Sequence, residues 1–281
     1  MEGGLPAKAQ GMGCFSAAGS GGVMAQATKK TESNHTGPCG RFIRTGDSDC
    51  QHCSLRQFAL FAELGDAEMR HLTADICSGV LRRDSLIYSA GDPGAGVFTI
   101  RVGLVKLVME TPDRRGRIVR LLGRGATLGL EVLTGRPYDH TALTLRTTSL
   151  CRIPIPTVDV LHSHNPRLVL GLMSKWHEQV RWADRWLTDL GSGAVPQRLA
   201  NLVRLLVEIS GDSPEAVHLP PAADIASILG VSQESVSRHL AELKRAGLLR
   251  RVGPRIYRCA PELTDATADG ELPRVAPIRS C

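Results

Sequence analysis

Two groups of residues in this 281-residue chain have side-chain types and spacing that suit chemistry. The first runs from Ala223 to Leu243. Ile225, Ala226, Ile228 and Leu229 form a short apolar helix face that stops at Gly230, where a tight turn needs a residue that tolerates positive φ. Ser232 then offers a hydroxyl to cap the first free N–H groups of a second helix. That helix turns Val236, Leu240 and Leu243 inward and Gln233, Glu234, Ser237 and Arg238 outward. Arginine forks onto guanine O6 and N7, glutamate accepts from cytosine N4, and serine adapts to either base. The order is helix-turn-helix, so the expected partner is double-stranded DNA, read from the N-terminal part of the second helix. His239 falls where it is either half buried or turned to a phosphate, and the spacing does not decide. The net charge of +6 suits a polyanion. Between residues 191 and 260, nine Lys/Arg face six Asp/Glu, most of the cations at and after the second helix.

The second group is sulfur. Cys50-Gln-His-Cys53 has the spacing of half a zinc site or a redox dithiol. No second Cys pair or His pair follows at finger spacing, and no βαβ unit precedes it. His52 reads as a solvated loop residue and Cys77 as core. Cys14, Cys259 and Cys281 have no partner pattern. The N-terminus lacks a signal peptide and no apolar run has membrane length. The expectation is therefore a cytoplasmic protein without a membrane partner, whose eight cysteines are ligands, redox groups or buried apolar residues rather than structural disulfides. No nucleophile elbow, P-loop or paired carboxylate site is present, which argues against an enzyme.

These groups need elements to position them. Residues 1–38 are a low-complexity tail expected to be disordered, and 39–62 a cysteine-containing sensor segment. The spacing predicts a helix over 66–81. From 82 to 160, short β-type runs alternate with Gly-containing turns: 86–88, 97–100, 104–108, 118–122, 142–145 and 150–153. This predicts an antiparallel sheet domain over 63–160. A long helix follows Pro166 to about Leu190, with Leu168, Leu172, Trp176, Trp182, Ala183 and Trp186 as an apolar stripe. So long a helix between two domains has little of its own chain to cover it. Leu168, Leu172, Trp176, Ala183 and Trp186 are therefore expected to form a homodimer seam, with 161–192 as dimerisation helix and hinge. Residues 193–262 hold one more helix, the helix-turn-helix and a two-stranded wing, and 263–281 read as a loose tail.

Order and motifs together resemble the Crp/Fnr superfamily of bacterial transcription regulators over residues 39–260. Leu86–Asp92, Val97–Lys106 and Ser149–Pro154 resemble segments of its β-roll, and 223–243 its DNA-reading motif. The resemblance implies an α+β fold: an N-terminal antiparallel β-roll like the cyclic-nucleotide-binding jelly roll, a long dimerisation helix and a C-terminal winged helix-turn-helix. The Fnr branch matches best, since its recognition helix carries Glu-x-x-Ser-Arg, here Glu234, Ser237 and Arg238. That implies TTGAT-type palindromes, with Gln233 and Ser232 in supporting roles. It also implies an activator that touches RNA polymerase through the tip 112–116. In Fnr-type oxygen sensors a cysteine group and one β-roll cysteine hold a [4Fe–4S] cluster. Cys50, Cys53 and Cys151 match those positions, Ala59 stands where a further ligand belongs, and Cys39 can replace it, with Cys77 in reserve. Cyclic AMP is not expected. His140 replaces the phosphate-clamping arginine, Leu130 replaces the glutamate beside Gly129, and Arg136 is only a loose substitute. The alternatives are a haem, nitric oxide or small-molecule input with incidental cysteines, or a zinc-stabilised DNA-binding protein.

Overall fold

The computed structural model describes residues 76–112, 116–164, 167–211 and 213–264. Eight strands form two four-stranded antiparallel sheets. One has the order β1 (Cys77–Leu81), β8 (Thr148–Pro154), β3 (Gly96–Val102), β6 (Thr127–Leu128). The other has β2 (Leu86–Tyr88), β7 (Thr141–Thr144), β4 (Val105–Glu110), β5 (Gly116–Leu122). Alternate apolar positions from both sheets meet inside this roll, where Val97, Ile100, Val105, Ala142 and Leu150 are wholly buried. Tyr88 and Tyr138 stack with ring centroids 3.8 Å apart, and the Tyr138 hydroxyl donates to the Gly96 carbonyl at 2.7 Å.

The helix expected over 66–81 is corrected from Cys77 onward. Cys77–Leu81 is a strand, paired antiparallel along its whole length with β8. Pairing to a central strand outweighs helical spacing here. Helix α1 (Ile155–His164) follows β8 directly, inside the stretch read as β-roll. The long helix is α2 (Arg167–Arg185), extended by a π-helical turn, Trp186–Leu190. Gly193, at φ +85°, closes the turn to α3 (Val195–Ser210), as the Gly191-Ser-Gly193 hinge predicts. Arg185 grips Glu208 with two hydrogen bonds of 3.0 and 2.9 Å and so ties α2 to α3.

Helices α4 (Ala222–Leu229) and α5 (Gln233–Arg245) pack on the inner face of α3, whose Leu199, Leu202, Val203 and Leu206 are wholly buried. The wing has three strands rather than two: β10 (Leu249–Gly253), β11 (Ile256–Cys259) and the two-residue β9 (Val217–His218). The helix α6 (Pro261–Thr264) keeps Leu263 wholly buried and accepts from Arg204 Nε at its carbonyl, so the chain stays in the fold past residue 262. Leu104, Ile118, Leu121 and Leu145 of the roll share one apolar core with α3 and α4. Gly123 makes that approach possible, because a Cβ there would overlap the carbonyl of Ile209.

Candidate nucleic-acid interface and sensor residues

The turn between α4 and α5 forms for the reasons written in its residues. Gly230 sits at φ +62°, ψ +41°, and its neighbour Val231 donates its N–H to the Ala226 carbonyl at 3.1 Å. Ser232 is the N-cap of α5, and its hydroxyl accepts from the Ser235 N–H at 3.2 Å. Val236 and Leu243 are buried against α3 and α4. Ser232, Gln233, Glu234, Ser237 and Arg238 are all exposed along one edge of the first two turns. The Glu234 carboxylate is held below its usual range by the backbone N–H at its own position and by the Ser232 hydroxyl. His239 is half-buried, with Nδ1 2.7 Å from Glu242 Oε2. The contact holds its ring on the flank of α5. The last turn of α5 carries Lys244 and Arg245, and Lys244 lies over the Tyr257 ring at 5.2 Å. Arg250, Arg251 and Arg258 extend the exposed positive surface onto the wing.

The sensor residues lie on the roll. Cys151 is half-buried on β8, in register with Ser78 on β1 and Thr99 on β3, so the three share one sheet face. The Thr99 hydroxyl is buried and has no hydrogen-bond partner among the described residues. The Cys151 and Thr99 side chains are thus neighbours across β8 and β3. Cys39, Cys50 and Cys53 lie outside the described residues, among which no three His, Cys, Asp or Glu side chains gather for a metal. Cys77 is wholly buried and disulfide-bonded, which corrects for this residue the expectation of no structural disulfide. Cys259 is buried in the wing, and burial pushes its thiol up to about 11.

A cavity of about 270 Å³ lies between the roll and α2. Tyr88, Arg120, Glu131 and His140 reach it from the roll, Trp176 and Gln179 from α2. Arg120 donates to Gln179 Oε1 at 2.6 Å, the direct polar link between β5 and α2. The hydroxyls of Tyr88 and Thr127 are buried there with no partner among the described residues. Burial lowers the pKa of His140, helped by Arg120 and opposed by Glu131 and Asp139. Burial, then Glu131, raises that of Tyr88. Arg136 is exposed and paired with Asp139 at 3.3 Å, outside the cavity lining. Arg120 is instead the cavity's cation. The sequence pattern does not single it out, because β5 also carries Arg117 and either reads as an ordinary strand charge.

Helix α2 divides its apolar residues between two surroundings. Leu172 packs on the roll's core and Trp186 on the core shared with the DNA-reading helices. Ala183 lines the cavity and Trp176 both lines it and is 44% exposed, while the Leu168 side chain lies outside the described set. The large exposed residues are Leu170, Met173, Trp176, Val180 and Leu187.

Residues 79–165 match the model of the cyclic nucleotide-binding domain, and residues 197–262 match the Crp-like helix-turn-helix domain, together more than half the chain. The chain belongs to the Crp/Fnr family. It is 27% identical over 228 residues to the transcriptional activator protein Anr of Pseudomonas aeruginosa, spanning 79% of this chain and 93% of that protein. It is 26% identical over 219 residues to the fumarate and nitrate reduction regulatory protein of Vibrio cholerae, spanning 75% and 88%. The structure of FixK2 from Bradyrhizobium japonicum superposes with a TM-score of 0.61 at 23% identity, covering 68% of this chain and 98% of that one. Crp/Fnr proteins are DNA-binding transcription regulators that act as dimers, and they are not enzymes. Among the described residues, no helix of this Crp/Fnr chain is long and apolar enough to cross a membrane.

Proposed function

We propose that this Crp/Fnr regulator is of the Fnr type: a cytoplasmic homodimer that reads TTGAT-type palindromes, activates transcription with RNA polymerase, and responds to oxygen or redox state. The observation that carries the reading is the exposed set Glu234, Ser237 and Arg238 on a capped helix, the donor and acceptor types that read cytosine and guanine edges. The names of its relatives agree: an activator, and regulators of fumarate and nitrate reduction. A dimer places two such helices about one DNA turn apart.

Cys39, Cys50, Cys53 and Cys151 would hold a [4Fe–4S] cluster, which when bound supplies an oxygen-sensitive link among four thiolates. Cys151 anchors that link to the centre of a sheet, between Ser78 and Thr99. Arg120 and Gln179 tie the opposite sheet to α2, so the order of the roll bears on the dimer helix. The expected outcomes are concrete. Arg238→Ala lowers affinity for a TTGAT palindrome at least about five-fold, since one bidentate contact to guanine is worth about 1–3 kcal/mol. Unchanged binding in a gel-shift titration sinks the DNA reading. Purified without oxygen, the protein carries iron and sulfide, and Ser at position 39, 50, 53 or 151 removes both. Loss with Cys77→Ser but not Cys39→Ser reassigns the fourth ligand.

A second reading, a small-molecule input, is favoured by the cavity, whose Tyr88 and Thr127 hydroxyls have no partner among the described residues and whose Arg120 is a half-buried cation. An absorbance Soret band, or a ligand retained on purification without iron, supports that reading over the cluster.

A further inference from the structure

One exposed cation outside the helix-turn-helix lies beside it. Arg117 opens β5 on the roll, and its Nη2 is 3.3 Å from where a Cβ on Gly230 would stand. Gly230 is the turn before α5, and Gln233 follows three residues later, roughly 11 Å of chain at most. The placement is braced. Lys106 Nζ meets Asp224 Oδ1 at 2.7 Å, with both side chains largely buried. The Ile118 N–H donates to Ser227 Oγ at 3.0 Å. Asp224, Ser227 and Gly230 are spaced three apart, so Lys106, Ile118 and Arg117 meet three successive points along one side of α4. Ile118 is also buried in the core shared by roll and DNA-reading helices. The strand that carries Arg117 is thereby fixed to the first helix of the reading motif.

Arg117 itself is exposed, and no ion pair neutralises it among the described residues. The one carboxylate of α4, Asp224, is taken by Lys106. In a helix-turn-helix the first helix crosses the phosphate backbone while the second enters a major groove about 12 Å wide. A cation held at the junction of the two helices faces the phosphates on the rim of that groove.

We propose that Arg117 is a DNA phosphate contact supplied by the β-roll, so that the sensor domain contributes directly to the affinity of the DNA-reading domain. The inference rests on the DNA reading above. A phosphate contact positions without specifying sequence, which separates Arg117 from Arg238.

The test is a salt titration of the full chain, purified without oxygen, on a duplex carrying a TTGAT palindrome and on a scrambled duplex of equal composition. Each neutralised phosphate adds about 0.9 to the slope of log affinity against log salt. Arg117→Ala should therefore flatten the slope by about 0.9 for each bound protomer. If the salt lines converge near 1 M, it weakens binding about eight-fold per protomer at about 0.1 M. The loss should be the same on both duplexes, and Arg117→Lys should restore most of it. Arg238→Ala should instead lose the preference for the palindrome. A wild-type slope and affinity in Arg117→Ala, with wild-type binding intact, overturn the contact alone. A wild-type protein that binds neither duplex overturns the DNA reading and this contact with it. Because the site is exposed, Arg117→Ala should melt at the wild-type temperature, which separates a lost contact from a lost fold.

Discussion

His140 sits on the cavity wall with its charge opposed first by burial and then by the Arg120 guanidinium, while Glu131 and Asp139 offset only part of that. Its pKa in the fold therefore lies below the ordinary 6.5. The unfolded chain then binds more protons than the folded one as pH falls through that ordinary value. The stability due to neutral His140 is thus complete above about pH 6.5 and declines below it. Urea unfolding at pH 8 and pH 5.5 should show a larger loss for the wild type than for His140→Gln. Equal losses would mean that the imidazole keeps its solution character. Arg120 is at once the electrostatic neighbour of His140 and the hydrogen-bond donor to Gln179 on α2. A ligand that draws Arg120 away from Gln179 loosens one direct polar link between the roll and α2.

At the scale of elements, the turn into α5 shows how local chemistry sets up recognition. The Ser232 hydroxyl accepts from the Ser235 N–H and holds the Glu234 carboxylate beside the helix start. Ser232→Ala should lower stability by about 1 kcal/mol, the usual cost of a lost N-cap, and Ser232→Asp should keep most of it. Thermal unfolding that leaves Ala and Asp variants equal would show that the cap is idle. This turn was legible in sequence because every signal in it is local: Gly230 for the turn, Ser232 for the cap, Val236 and Leu243 for the buried face. Strands β2, β3, β4, β5, β7 and β8 were legible for the same reason, since their apolar runs end at turn residues. The rest depends on distant partners. Strand β1, Cys-Ser-Gly-Val-Leu, carries little β-type pattern and exists because β8 pairs with it. Strands β6 and β9 are two residues each, too short for any period to appear. Arg117 and Arg120 read as ordinary strand charges until the fold brings one to Gly230 and the other to Gln179.

At the scale of the whole molecule, α2 lies between two surfaces. One side meets the roll through Leu172, Gln179 and the cavity wall, Leu170, Met173 and Leu187 are exposed away from that wall, and Val180 lies at its rim, exposed while also lining the cavity. Met173, Val180 and Leu187 recur every seven residues, the spacing that keeps one seam facing a partner helix. Met173 is 64% exposed, Val180 58% and Leu187 67%, a continuous apolar stripe of the kind that marks an interface. The homodimer proposed above would bury this stripe, with the sequence-derived Leu172 and Trp186 serving their own chain instead. Met173→Glu tests it without touching the cavity lining, because Met173 is not part of that wall. A two-fold seam sets the new glutamate close to its own copy, and like charges facing across an interface cost several kcal/mol. Sedimentation should show the dimer weakened on the order of ten-fold or more. Affinity for the TTGAT palindrome should fall with it, while binding to an isolated half-site stays near wild type. Leu172→Ala supplies the contrast: it opens a gap against the roll's core and should lower the melting temperature before it changes the oligomeric state. A dimer that survives Met173→Glu unchanged would place the seam elsewhere and free this stripe for another partner.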